Sequence, residues 1–175
     1  ISPDFSANGD GIDIDGCENV LLVNSTFDVG DDGICVKSGK DEDGRRHSRP
    51  SRNIVIDGCT VLRAHGGFTV GSEMSGGVED IRVSNCSFIG TEVGLRFKTR
   101  RGRGGYVRDI RMDHIYMKDI IDNAIVVNMY YANTSASDAR QLGLNCGEGT
   151  VCEADETTPV FERLSFSNIT VAGCG

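Results

Sequence analysis

Apolar and polar residues alternate in five segments of the chain, and these segments align with one another without gaps. They span residues 20–27, 54–61, 81–88, 110–117 and 164–171. The first, third and eighth positions are apolar in all five, as in Val20, Leu22 and Phe27. A period of two is typical of β-strands whose alternate side chains point into a core. We therefore predict one β-strand in each segment and an all-β fold.

The spacing of the five segments predicts how their strands are arranged. It reduces to a turn of roughly 20 to 30 residues once two polar insertions, residues 40–51 and 133–158, are treated as loops. Strands that recur at this period without a helical pattern indicate a parallel β-helix. Each coil of such a solenoid needs a neighbour to cover its apolar face, and an abrupt start exposes an uncapped edge. We therefore expect residues 1–175 to be the central to C-terminal coils of a single β-helix domain that is truncated at its N-terminal end.

A second predicted strand follows the first in the repeat and begins with a small residue. The small residues are Gly11, Gly33, Gly67, Gly94 and Ala124. Each is followed by an apolar residue, which we expect to point inward, while the next residue points outward. Residues in one column of a parallel stack lie about 4.8 Å apart from coil to coil. The columns just before the small residues therefore place Asp10 beside Asp32 and Asp31 beside His65.

Two cations join these side chains from the coil that follows His65. Arg96 and Lys98 are two positions apart on a strand and project from the same outward face. They begin a basic segment, residues 96–111, with seven Lys or Arg and one acid in a chain whose formal net charge is −8. An acidic chain disfavours nucleic acid and anionic membranes as partners, whereas a local basic patch would attract an anionic sugar polymer.

Three aspartates, a histidine and two cations on one strip of surface point to acid–base chemistry. Carboxylates held this close resist ionising together, so one is expected to carry a proton while another acts as a base. Inverting glycoside hydrolysis needs such a pair, roughly 6.5 to 9.5 Å apart. A simpler interpretation is that the acidic turns are only solvated or hold Ca²⁺. Arg96 and Lys98 beside the carboxylates argue against a pure cation site.

The seven cysteines give no metal or redox motif, because no two of them form a CxxC pair. We therefore expect no metal. Cys146 and Cys152 lie in the second insertion, where they could close a small disulfide. The chain has no run of eighteen apolar residues, so no membrane-spanning helix is expected.

Four short motifs give the chain a resemblance to a known family. They are Asn-Gly-Asp-Gly-Ile-Asp at residues 8–13, Gly-Asp-Asp at 30–32, Ala-His-Gly at 64–66 and Arg-Phe-Lys at 96–98. In this order and at one-coil spacings they resemble the motifs of glycoside hydrolase family 28, the polygalacturonases. Residues 71–77, Gly-Ser-Glu-Met-Ser-Gly-Gly, are most similar to bacterial, exo-acting members.

The resemblance implies a fold and an activity. The fold is a right-handed parallel β-helix catalytic domain. The activity is hydrolysis of α-1,4-galacturonosyl linkages in polygalacturonate or pectin, with inversion, from a chain end and without a cofactor. The substrate is polygalacturonate or an oligogalacturonide, and neither nucleic acid nor a membrane is a partner. A monomer at full length and a secreted or periplasmic location are expected as well.

The resemblance also implies a role for individual residues. Asp31 is expected to be the general acid, Asp10 and Asp32 the groups that activate water, and His65 a support for the acid. A second set is expected to bind substrate: Asn8, Arg96, Lys98 and Tyr130.

Two other functions are compatible with the same features. A pectate lyase would share the β-helix and use acidic Ca²⁺ sites, and it would release an unsaturated, ultraviolet-absorbing sugar. A non-catalytic carbohydrate-binding solenoid would hold the polymer without cleaving it. The set of motifs favours hydrolysis over both. Exo or endo action depends on the conformation of the two insertions.

Overall fold

The computed structural model describes residues 1–3, 6–131 and 153–175. Apart from one short helix, α1 (Asp41–His47), the regular elements of these residues are β-strands. They are β1 (Ile12–Asp15), β2 (Glu18–Val23), β3 (Thr26–Asp28), β4 (Ile34–Lys37), β5 (Ser51–Asp57), β6 (Thr60–Leu62), β7 (Gly66–Val70), β8 (Val78–Ile89), β9 (Val93–Lys98), β10 (Tyr106–Ile120), β11 (Asn123–Asn128) and β12 (Val160–Cys174). The all-β prediction is confirmed.

The strands form two parallel sheets that run along the stack of coils. One sheet contains β1, β4, β7, β9 and β11 in spatial order, and the other contains β2, β5, β8, β10 and β12. The short strand β3 pairs with β6, and β6 pairs with the end of β8. Neighbouring strands of each sheet therefore come from successive coils, which confirms the predicted parallel β-helix.

The register of both sheets is the one that the aligned segments predict. The first position of the first family forms a continuous row: Val20, Ile54, Ile81, Ile110 and Leu164. The apolar position of the second family forms another: Ile12, Ile34, Phe68, Leu95 and Ile125. Both rows contribute to the core between the sheets, where Ile34, Phe68 and Leu95 are fully buried. Ile125, on the last strand of its sheet, is expected to point inward but is 38% exposed and is not part of this core. Burial of these rows is the main contribution to stability, because each coil covers the apolar face of the next.

The column of small residues allows close packing between the two sheets. A Cβ atom at Gly67 would overlap the ring of Phe88, and one at Gly94 would overlap the sulfur of Met117. Large side chains from one sheet thus fill the space that the glycines of the other leave open. The polar residues just before these glycines are held at the outer edge of the stack, where the predicted charged columns begin.

The two insertions differ in what the structure adds to the sequence. The first contains α1, which the sequence pattern did not predict. This helix has three acidic residues in its first turn and three basic residues in its last, a distribution that the helix dipole favours. The second insertion lies largely outside the described residues, and so does the proposed disulfide between Cys146 and Cys152. In the described ranges, no helix has the length and apolar character needed to span a membrane.

Candidate active site

The coil-to-coil hydrogen bonds bring the predicted aspartates and the histidine together as the columns require. The Gly11 amide, next to Asp10, donates to the carbonyl of Asp32 at 2.9 Å. The His65 amide donates to the carbonyl of Asp31 at 3.0 Å. Each residue lies shortly before a strand, so the strand fixes the position of its backbone.

Asp31 has one occupied and one unoccupied carboxyl oxygen. Its Oδ1 accepts a hydrogen bond from the Asp32 amide at 2.9 Å and lies 3.1 Å from Nδ1 of His65. Within the part of the chain that the structure describes, Oδ2 has no hydrogen-bond partner. His65 also has its Nε2 atom 3.7 Å from Oε1 of Glu92. The imidazole is therefore held between two acidic side chains, and Oδ2 of Asp31 is left for a ligand or a proton.

Asp32 is the most deeply buried of the three aspartates, at 2% exposure. Its Oδ2 accepts a hydrogen bond from Nζ of Lys98 at 2.7 Å, and its Oδ1 lies 3.6 Å from Nη1 of Arg96. Burial disfavours the charged form of Lys98, but the Asp32 carboxylate more than offsets this and raises the pKa of Lys98. Both predicted substrate-binding cations are thus in contact with a predicted catalytic carboxylate.

Asp10 has a cationic partner that the sequence interpretation did not single out. Nζ of Lys37 lies 3.1 Å from Oδ2 of Asp10 and 2.8 Å from Oδ1 of Asp13. In the register of the sheet, Lys37 lies beside Asp15 of the preceding coil. It shares an outward-facing column with Lys98, which lies two coils further on, and this column could have revealed it in the sequence. Gly71 occupies the intervening coil and has no side chain to separate the two lysines.

These side chains line one polar cleft with a volume of about 210 Å³. Five of its lining residues were predicted as site residues: Asn8, Asp10, Asp31, Asp32 and Lys98. His65 and Arg96 are not in the lining, but His65 contacts Asp31 and Arg96 contacts Asp32. The remaining lining residues were not predicted to take part: Asp13, Lys37, Gly71, Ser72, Glu73 and Tyr131.

The predicted tyrosine is replaced in the cleft by its neighbour. The side chain of Tyr130 is 83% exposed and does not line the cleft. The ring of Tyr131 does line it, with Nζ of Lys98 at 5.0 Å and Cζ of Arg96 at 5.9 Å from its centroid. Both distances are within the range of cation–π attraction. The geometry therefore favours Tyr131 over Tyr130 as the aromatic residue of the site.

The cleft wall is joined to α1 by a buried arginine. Arg103, which is 4% exposed, donates to Oδ1 of Asp41 at 2.6 Å and to Oε1 of Glu73 at 3.1 Å. Burial raises the pKa of Glu73, but hydrogen bonding by Ser72 and the charge of Arg103 outweigh it and lower the pKa overall. The first insertion is thereby fixed against the same wall that carries Glu73.

We expect Arg103→Met to loosen this wall and to destabilise the fold. Removing one partner of a buried ion pair costs about 3 to 5 kcal/mol. Because Asp41 and Glu73 are partly exposed, we expect about 2 kcal/mol here, measured as the free energy of unfolding in urea. Arg46→Met is the matched control, since that arginine lies on α1 with its side chain 71% exposed. Equal stability of the two variants would contradict the anchoring role of Arg103.

The donor set in the cleft does not suit a metal ion. Ligand atoms of Asp10, Asp13 and Cys35 lie within 4.8 Å of one another. The ammonium of Lys37 already bridges the two carboxylates. Burial raises the pKa of the Cys35 thiol well above its usual range, which disfavours the thiolate that a metal would need.

Comparisons of the sequence with protein families and with known proteins agree on one kind of relative. Residues 1–157 match the family described as glycosyl hydrolases family 28. A probable polygalacturonase of Vitis vinifera is 40% identical over 119 residues, which cover 67% of this chain and 24% of that protein. An exo-poly-alpha-D-galacturonosidase of Dickeya chrysanthemi is 30% identical over an alignment of 190 residues, covering 97% of this chain and 31% of that protein.

The fold has a close counterpart among solved structures. The crystal structure of a hyperthermoactive exopolygalacturonase from Thermotoga maritima superposes with a TM-score of 0.82 and 33% sequence identity. The match covers 96% of this chain and 34% of that one. The chain thus spans between a quarter and about a third of the length of these relatives. With a family match over most of its length and the four motifs brought to one site, the chain belongs to glycosyl hydrolase family 28.

Proposed function

We propose that the protein hydrolyses α-1,4-galacturonosyl linkages of polygalacturonate with inversion, through the cleft that contains Asp10, Asp31 and Asp32. The observation that carries this proposal is the contact pattern of the three aspartates. The Lys37 ammonium contacts Asp10 and the Lys98 ammonium contacts Asp32, whereas Asp31 is held by the Asp32 amide and the His65 ring. Such a difference in environment is what separates an acid from a base among neighbouring carboxyl groups.

In this mechanism Asp31 protonates the leaving glycosidic oxygen through Oδ2, because Oδ1 is engaged by the Asp32 amide and lies next to His65. Asp10 and Asp32 activate the attacking water, and one of these two carboxylates accepts its proton. His65 fixes the orientation of the acid. Water attacks the anomeric carbon on the face opposite the departing oxygen, so the configuration inverts.

The substrate carries a carboxylate on every sugar, and Lys98 in the cleft lining and Arg96 beside it would bind that carboxylate. Arg96 is the more available of the two proposed ligands, since its side chain is 22% exposed against 9% for Lys98. A guanidinium can bind a carboxylate with two parallel hydrogen bonds. Asn8 and Tyr131 complete the proposed binding surface. Tyr131 takes the place of Tyr130, whose side chain is exposed and does not line the cleft.

Exo action, from a chain end, is the finer part of the proposal. The names of the Dickeya and Thermotoga relatives support it. The anchored α1 is a candidate for the element that limits the length of the cleft. For the whole protein we also propose a polygalacturonate or oligogalacturonide partner, a monomeric state, and secretion or periplasmic export.

The decisive experiment is to incubate the intact protein with polygalacturonate and to follow reducing ends, product size and absorbance in the ultraviolet. Galacturonic acid monomer from the first time point supports exo hydrolysis, while mixed oligomers would indicate endo action. An unsaturated product whose formation stops on addition of a chelator would replace hydrolysis by β-elimination. Binding without any product would indicate a carbohydrate-binding solenoid.

A further inference from the structure

Lys37 is a cation of the cleft to which the four sequence motifs assign no role. It lies at the end of β4, in the outward column that also contains Lys98 two coils away. Its side chain is 21% exposed, and that of Asp10 is 13% exposed. The pair is therefore largely withdrawn from solvent, where a charge contact is stronger than at an open surface.

The position of Lys37 is fixed from two sides. Its Nζ atom contacts Oδ2 of Asp10 at 3.1 Å and Oδ1 of Asp13 at 2.8 Å. Burial acts against its charge, but hydrogen bonding to Asp13 and Asp10 outweighs burial and raises the pKa of Lys37. Burial also raises the pKa of Asp13, and its neighbour Asp10 adds to this, while Lys37 opposes both. A single ammonium thus holds two carboxyl groups that would otherwise repel each other.

We propose that Lys37 is a positioning residue for Asp10. By engaging Oδ2 it sets the orientation of the carboxylate, so that Oδ1 is directed to the attacking water. Asp13 in turn holds the ammonium in place. This proposal rests on the function proposed above, in which Asp10 helps to activate water. It adds a residue pair, Lys37 and Asp13, to the three catalytic aspartates of that function.

The other charged groups around Asp10 make the role of Lys37 specific. Besides Asp13 on β1 and Lys37 on β4, the cleft presents four charged side chains from the neighbouring coils: Asp31, Asp32, Glu73 and Lys98. Nζ of Lys98 contacts Oδ2 of Asp32 at 2.7 Å and is therefore paired with that carboxylate. Carboxylates therefore outnumber ammonium groups around Asp10, and Lys37 is the cation in direct contact with it.

The test compares Lys37→Met with wild type in the intact protein acting on polygalacturonate. A 1 Å error in the placement of a catalytic group can cost about 100-fold in rate, so we expect kcat to fall roughly 10- to 100-fold while KM changes by less than about threefold. Lys118→Met, an exposed lysine on β10, is the matched control.

Lys37→Arg separates positioning from simple loss of structure. Arginine keeps the charge and can donate to both aspartates, so it is expected to restore kcat to within about fivefold of wild type. A Lys37→Met enzyme with unchanged kcat and a raised KM would overturn the proposal in favour of substrate binding. Wild-type kinetics in Lys37→Met would overturn it too. Inactivity of the wild type on polygalacturonate would instead overturn the proposed function itself, and the positioning role with it.

Discussion

Replacing Asp31 by asparagine is expected to lower kcat by about 10² to 10⁴-fold, the range that a general acid or base contributes. Asparagine keeps the size of the side chain and can still accept the hydrogen bond from the Asp32 amide at the Oδ1 position. It has no acidic proton to give to the leaving oxygen. The fold should be retained, because the substitution changes no backbone contact of the coil.

Asp80→Asn is the control for this substitution. Asp80 is exposed, lies on β8 away from the cleft lining, and has a φ of 51°, which asparagine tolerates well. The Asp80→Asn substitution makes the same chemical change outside the cleft, so the kcat of this variant should equal that of wild type. A turnover in Asp31→Asn within about threefold of the control would remove the acid role from Asp31.

Replacing Lys98 by methionine is expected to affect stability and catalysis together. The side chains of Lys98 and Asp32 are 9% and 2% exposed and form a contact of 2.7 Å. Removing the lysine leaves a buried carboxylate without its main partner, which should cost about 3 kcal/mol in the free energy of unfolding. If Lys98 only bound substrate, its replacement would raise KM and leave stability and kcat unchanged. We expect kcat to fall as well, because the Asp32 carboxylate loses the ammonium beside it.

A double variant identifies the source of the stability loss. Adding Asp32→Asn to Lys98→Met removes the unpaired charge, so the free energy of unfolding should recover by at least about 1 kcal/mol while activity stays low. Urea denaturation and steady-state kinetics on the same preparations give both readouts. Lys118→Met serves again as the exposed control. Unchanged stability of Lys98→Met together with a pure rise in KM would return Lys98 to a substrate-binding role alone.

The contacts of Lys98 change how the basic pair of the motif is understood. From the sequence, Arg96 and Lys98 are equivalent cations on one outward face. In the structure they differ in burial and in their distance to Asp32, at 3.6 and 2.7 Å. Arg96 keeps more of its side chain available to a ligand, while Lys98 compensates a buried charge. The two positions are therefore expected to respond differently to substitution.

Much of the site could be predicted because a parallel stack turns sequence spacing into spatial position. Once the small residues are aligned, Asp10 must lie beside Asp32 and Asp31 beside His65, and the backbone hydrogen bonds agree. Lys37 occupies the same column as Lys98, two coils earlier, so the alignment also places it on this face. The register sets it beside Asp15, and only the conformation of its side chain brings Nζ to Asp10 and Asp13.

Where the regular repeat ends, the sequence gives no comparable constraint. Strand β11 ends at Asn128, so alternation no longer determines which of Tyr130 and Tyr131 faces the cleft. The structure selects Tyr131, whose amide donates to the carbonyl of Thr99. The contact between Arg103 and Asp41 joins residues 62 positions apart through two loops, and no periodic pattern relates them.

The sequence by itself determined the number of aligned coils, the register of both sheets and the set of charged residues that share one edge, because hydrophobic periodicity and the column of small residues leave one way to stack. Only the tertiary structure decided which charges pair, which of the three aspartates lie against a lysine, and how α1 is anchored to the cleft wall. Those outcomes depend on side-chain rotamers, burial and loop conformation, which arise from contacts between distant parts of the chain and not from local pattern.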